Sequence, residues 1–220
     1  MDDNDIKAMA MKVLGSGPQA DEIFVMRHGK TALDPAHRSD GWLDFPLSDD
    51  GRVRLLTAEQ FLKSIPIQTI YAPTLKRTKE SAEILQSGIL SHPAIKDADE
   101  AKTWNLGAIA GTPKKPNREI VAYFMKHPAD RPEGGESREE FRKRFLPWLD
   151  ARKHDAAEKQ GPFLLVLSGS NLREISAQMF DDESVLDLDE GGLMVMYPVD
   201  GKWHAEVLFG PKDTDNEWLS

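Results

Sequence analysis

Cysteine is absent from the 220 residues. Disulfides, thiolate metal ligands and any reaction that needs a nucleophilic thiol are therefore excluded. No apolar run approaches the length that spans a bilayer, so no membrane partner is expected. An excess of positive charge is missing as well: the net charge is −9, and a nucleic-acid surface would need clustered cations. The six histidines lack HExxH or any comparable ligand spacing, so neither a metal nor an organic cofactor is expected. The opening Met1-Asp2-Asp3-Asn4-Asp5 is acidic where a secretory signal would be basic, which points to cytoplasmic residence. Internal repeats, low-complexity blocks and an interdomain linker are also absent. What remains is a chain long enough to bury one sizeable core, in which a local basic pocket can still attract a small anion.

The stretch around which the chain is organised is Ile23-Phe24-Val25-Met26-Arg27-His28-Gly29-Lys30-Thr31. Its apolar part is too short for a helix and suits a central strand of a parallel sheet, covered on both faces. Ligands in such sheets gather at strand carboxyl ends. There Arg27 offers a planar donor fork for phosphate oxygens, and Gly29 lets the backbone turn sharply beside His28. A neutral imidazole whose one ring nitrogen is fixed by a hydrogen bond can attack phosphorus with the other. By itself, the tripeptide reads more readily as a strand ending in a solvated Arg-His loop.

Three further segments follow in order: Gly41-Trp42-Leu43-Asp44-Phe45-Pro46-Leu47-Ser48-Asp49-Asp50-Gly51, then Ala72-Pro73-Thr74-Leu75-Lys76-Arg77-Thr78-Lys79-Glu80-Ser81-Ala82, and later Gly134-Gly135-Glu136-Ser137. With Arg27-His28-Gly29-Lys30-Thr31 they make the chain resemble the histidine phosphatase superfamily, which includes phosphoglycerate mutases and acid phosphatases. The resemblance implies an α/β fold: a three-layer α/β/α sandwich with a mostly parallel central sheet, phosphoglycerate mutase-like. It implies that His28 takes up a phosphoryl group, that Arg27 and Arg77 hold its oxygens, and that Gly29, Thr31 and Gly169 line the phosphate site. The implied partner is a small phosphorylated molecule, and a homodimer is left open.

Departures from the family pattern limit how much function follows. The acid that protonates the leaving oxygen aligns with Thr103, whose hydroxyl is no strong acid at neutral pH. Asp99, Glu100 and Glu136 are the carboxylates that could replace it. Glu100 is taken forward, against the plainer reading of a solvated loop carboxylate. The family's second histidine falls on Ser168, after the apolar run 162–167; serine donates one neutral hydrogen bond and cannot carry an imidazolium charge. Where the family often has asparagine three residues after Thr31, this chain has Asp34, which either repels phosphate, points away or supplies the missing acid. Two outcomes stay open: attenuated phosphomonoester hydrolysis through a phosphohistidine, or a degenerate member that binds a phosphorylated ligand or a protein without turnover. A mutase fits less well, because phosphoryl return needs efficient acid/base chemistry.

The rest reads as scaffold. Residues 1–20 form an extension, 21–210 the domain and 211–220 a polar tail. Ser48 caps a helix whose Val53, Leu56, Phe61 and Leu62 face inward. Residues 67–71 form a second strand, and a helix starts near Thr74. A helix over 117–126 turns Ile120, Val121, Phe124 and Met125 inward, between loops that would cover the site. Lys114, Lys115, Arg131 and Arg138 read as solvated charges, with selection of an anionic substrate tail as the second reading. Ser137-Arg138-Glu139-Glu140 is a capping box, and residues 193–197 and 203–209 form a hairpin around Asp200-Gly201.

Overall fold

The computed structural model describes residues 19–33, 38–181, 186 and 188–211. Asp34 and most of the N-terminal extension and C-terminal tail lie outside the described residues. Among the described residues the main elements follow in chain order: β1 (Ile23–Arg27), α1 (Asp49–Leu62), β2 (Thr69–Ala72), α2 (Lys76–Gly88), β3 (Ala94–Asp97), α3 (Lys114–Lys126), α4 (Arg138–Ala157), β4 (Phe163–Leu167), α5 (Gly169–Phe180), β5 (Leu188–Val199) and β6 (Lys202–Pro211). Short 3-10 turns occupy Asp99–Ala101 and Gly107–Ile109.

The six strands lie in the order β3-β2-β4-β1-β5-β6. The first four in that order run parallel, whereas β5 is antiparallel to both its neighbours. The sheet is thus mixed and mostly parallel. Alternation along the central strands divides the core in two. Ile23, Val25, Phe163, Leu165 and Leu167 pack with Phe141, Phe145 and Leu149 of α4 and Leu172 and Ile175 of α5. Phe24, Met26, Leu164 and Val166 face the other way, onto Leu55, Ala58 and Leu62 of α1 and Ala82 and Leu85 of α2. Helices on both faces make the three-layer sandwich. Among the described residues no helix is long and apolar enough to cross a membrane.

Several elements depart from the sequence expectation for visible reasons. In α1 the buried residues are Gly51, Leu55, Ala58 and Leu62, whereas Val53 and Leu56 are 63% and 51% exposed. The rotation is set by Gly51: a Cβ there would lie 2.3 Å from the Lys30 carbonyl oxygen, so only a glycine face can abut the loop after β1. α2 starts at Lys76, later than expected, because the Thr74 N–H and hydroxyl both turn to Asp99 Oδ1 at 3.1 and 2.7 Å. α3 starts three residues earlier than expected: Pro116 sits in its first turn, where a missing N–H costs no intrahelical bond. Val121, Phe124 and Met125 pack against the core, but Ile120 is 46% exposed. The hairpin turn has Asp200 and Gly201 both in the left-handed region, at φ +49° and +76°, which matches the twist of paired strands.

Candidate active site

The parallel strands β1 and β4 end side by side, and the segments that leave them stay in contact. The His28 N–H donates to the Leu167 carbonyl at 2.9 Å, continuing the β1–β4 pairing one residue beyond the strand. Gly29 follows in a space that admits no side chain: a Cβ would meet Leu55 Cδ1 at 2.9 Å and the Gly51 carbonyl at 3.0 Å. Its N–H donates to Ser81 Oγ of α2 at 3.1 Å. The loop is therefore pinned between two helices.

His28 is buried, and its Nδ1 lies 2.8 Å from the Gly29 carbonyl oxygen. A carbonyl only accepts, so Nδ1 carries the proton and Nε2 keeps the lone pair. Burial first, and then the positive charge of Arg77, push the imidazole pKa down to about 3, so the ring is neutral under ordinary conditions.

Arg77, the second residue of α2, is 1% exposed and donates from its two terminal nitrogens to Gly41 O at 2.7 Å and Leu43 O at 2.9 Å. The segment 41–44 is further held by Asp44 Oδ1, which accepts from the Lys76 N–H at 2.6 Å. Arg77 thus combines proximity to His28 with a bracing role. Arg27 is half-buried beside the start of α5: a Cβ on Gly169 would lie 3.5 Å from its Cζ. Its guanidinium donates to the Leu188 carbonyl at 2.5 Å and pairs with the Glu190 carboxylate. Ser168 is buried at the N-cap of α5, and its N–H donates to Asn171 Oδ1 at 3.2 Å. The structure therefore gathers His28, Gly29, Arg27, Arg77, Ser168 and Gly169 at one end of the sheet.

Other expected site residues lie differently. Thr31 is buried, with its hydroxyl donating to Asp40 Oδ1 at 3.1 Å and accepting from the Leu33 N–H at 3.2 Å; its side chain braces the loop. Glu100 is exposed on a 3-10 turn, and the contact seen there is its backbone carbonyl, which accepts from Arg144 Nη1 at 2.7 Å. Glu136 is engaged by Arg144 through both carboxylate oxygens, and Oε1 also accepts from the Asn105 N–H at 2.8 Å. Thr103 Oγ1 is 2.7 Å from Ser170 Oγ at the entry to α5. Of the cations around the expected lid, Arg138 is not solvated: it is buried and bonds Glu174 at 2.6 Å.

Sequence reasoning missed Glu190. Its carboxyl would rise with burial, but the Arg27 guanidinium beside it holds it down at about 2. The signal available was Gly191-Gly192 directly before an apolar strand, a pattern that marks a bulge.

The profile of the histidine phosphatase superfamily (branch 1) matches residues 23–208. The chain belongs to that family. It is 24% identical to 2,3-bisphosphoglycerate-dependent phosphoglycerate mutase 1 of Gloeobacter violaceus, over 83% of this chain and 95% of the relative. It is 25% identical to the metal-independent phosphoserine phosphatase of Arabidopsis thaliana, over 83% of this chain and 78% of the relative. Among solved structures, phosphoglycerate mutase from Bacillus anthracis superposes with a TM-score of 0.72 at 20% identity, covering 84% of this chain and 91% of that one. At that identity the superposition shows the fold. For this member of the family, the neutral His28 and the two arginines are the features from which a reaction can be argued.

Proposed function

We propose that the protein hydrolyses small phosphomonoesters through a phosphohistidine on His28. The observation that supports this most is the neutral, buried imidazole whose Nδ1–H is engaged by Gly29 O, which leaves Nε2 as the nucleophilic nitrogen. In the first step Nε2 attacks phosphorus, a P–N bond forms and the ester P–O bond breaks. In the second, water attacks phosphorus, the P–N bond breaks and phosphate leaves. Arg27 and Arg77 stabilise the charge spread over the phosphoryl oxygens. Ser168 and the N-terminus of α5 supply neutral donors where the family's second histidine stands.

Two features make this reaction slow. Replacing a preorganised charged donor with a neutral one costs about 3 to 4 kcal/mol, roughly a hundred- to a thousandfold in rate. The leaving oxygen also lacks a well-placed acid: Glu136 is bound to Arg144, and Glu100 is exposed. Substrates with good leaving groups should therefore react best. A second reading, ligand binding without turnover, is favoured by Ser168 and Thr103.

Hydrolysis of an activated aryl phosphate by the wild type, His28→Ala and Ser168→His separates the two. Turnover that vanishes in His28→Ala and rises on the order of a hundredfold or more in Ser168→His supports the phosphatase. Phosphate binding with no turnover in any of the three supports the binding module.

A further inference from the structure

Glu190 has no part in the reaction just proposed, yet the sheet is bent to present it. The pairing of β5 with β6 shifts register between Leu188 and Leu193, and Gly191 within that interval has φ +82°. The Gly191 N–H donates to the His28 carbonyl at 3.1 Å. From α1, Arg54 packs against Gly191 and pairs with Asp189 at 3.4 Å. Both neighbours of Glu190 are thus fixed, one to the His28 backbone and one to a helix. Bulges of this kind re-aim a side chain next to a site, and here the side chain meets Arg27.

The groups that face this carboxylate are Arg27 and His28 from the end of β1 and Lys114 from the start of α3. The Arg54–Asp189 pair flanks it from α1 and β5, and Ser168 and Gly169 at the head of α5 contribute no charge. His28 stays neutral and Glu190 ionised down to acid pH, so across the neutral range the bound ligand is the species whose charge changes.

An ionised carboxylate accepts hydrogen bonds and cannot donate. A fully deprotonated phosphate, or sulfate, is likewise acceptor-only, and its oxygens repel the carboxylate; a phosphate that keeps one proton can donate its P–OH. We propose that Glu190 makes the site select the singly protonated form of its ligand's phosphate group, accepting the P–OH hydrogen bond while the arginines hold the other oxygens. The inference rests on the phosphate-site reading above and deepens it. It makes Glu190 a specificity residue.

Calorimetric titration of the full chain with methyl phosphate, a monoester whose poor leaving group keeps it from reacting appreciably, and with sulfate tests this apart from turnover. The last proton of a phosphomonoester leaves at about pH 6, so measurements at about pH 5.5 and about pH 8 compare the singly protonated ester with the fully deprotonated one. The wild type should bind methyl phosphate about tenfold or more tightly at the lower pH, and there prefer it to sulfate by a similar factor. E190Q, whose amide can donate to an acceptor-only anion, should lose most of both preferences. Equal or tighter methyl phosphate binding at about pH 8, sulfate binding as tight as methyl phosphate at about pH 5.5, or an unchanged profile in E190Q each overturns the role of Glu190 and leaves the phosphate site standing. No methyl phosphate binding at either pH overturns both. If E190Q does not fold, the methyl phosphate–sulfate pair on the wild type decides alone.

Discussion

Arg77 meets two demands with one side chain. Its terminal nitrogens each donate to a carbonyl of the segment 41–43, and its positive charge lies close enough to His28 to lower the imidazole pKa. Lysine would keep the charge and lose the fork. Arg77→Lys should therefore leave one of the two carbonyls unsatisfied in a buried place, a loss of about 1 to 3 kcal/mol, and weaken phosphate binding together with it. Urea midpoints and phosphate titrations on the same sample check this. A variant that binds phosphate normally but is destabilised would make Arg77 a brace alone. At this scale the sequence was informative where chemistry needs a particular residue type: His28 and Arg77 stand out by motif. It was uninformative about Glu190, because what distinguishes that carboxylate from its neighbour Asp189 is only which side of a bulge it faces.

At the scale of elements, α4 is tied to α5 by charge as well as by packing. Arg138 bonds Glu174 at 2.6 Å, and Arg142 approaches the second carboxylate oxygen at 3.2 Å. Removing one partner of a buried pair strands the other, which typically costs 3–5 kcal/mol. With Arg142 left to pair one Glu174 oxygen, Arg138→Ala should fall at the low end of that range, about 3 kcal/mol, read from the urea midpoint, whereas Arg131→Ala, at an exposed pair with Glu140, should change stability by less than about 1 kcal/mol. Equal effects would mean that the Arg138 pair is screened by solvent. Capping was legible here: Ser137 and Glu140 form the reciprocal box that their spacing announces. Helix rotation was less so. Val53 and Leu56 fit an amphipathic stripe, but the contact that turns α1 is a glycine against the backbone of Lys30, and hydrophobic periodicity carries no trace of such an approach.

At the scale of the molecule, the layer order was legible because strands buried on both faces read as continuous apolar runs, as Ile23–Arg27 and Phe163–Leu167 do. The same burial has a cost in acid. His28 is held neutral in the fold down to about pH 3, whereas in the unfolded chain it titrates near 6.5. Between those two values the unfolded state binds one more proton, so stability is intact above the unfolded pKa and falls as pH drops towards the folded one. At about 1.36 kcal/mol per unit, His28 alone should remove roughly 2 kcal/mol between pH 7 and pH 5. Glu190, held at about 2 against an ordinary 4.5, acts in the same direction below about pH 4.5. His28→Asn has no such group, so its urea midpoint should move less than that of the wild type over the same interval. Parallel midpoints would mean that His28 takes up its proton in the folded protein at an ordinary pH, and the neutral nucleophile would go with it.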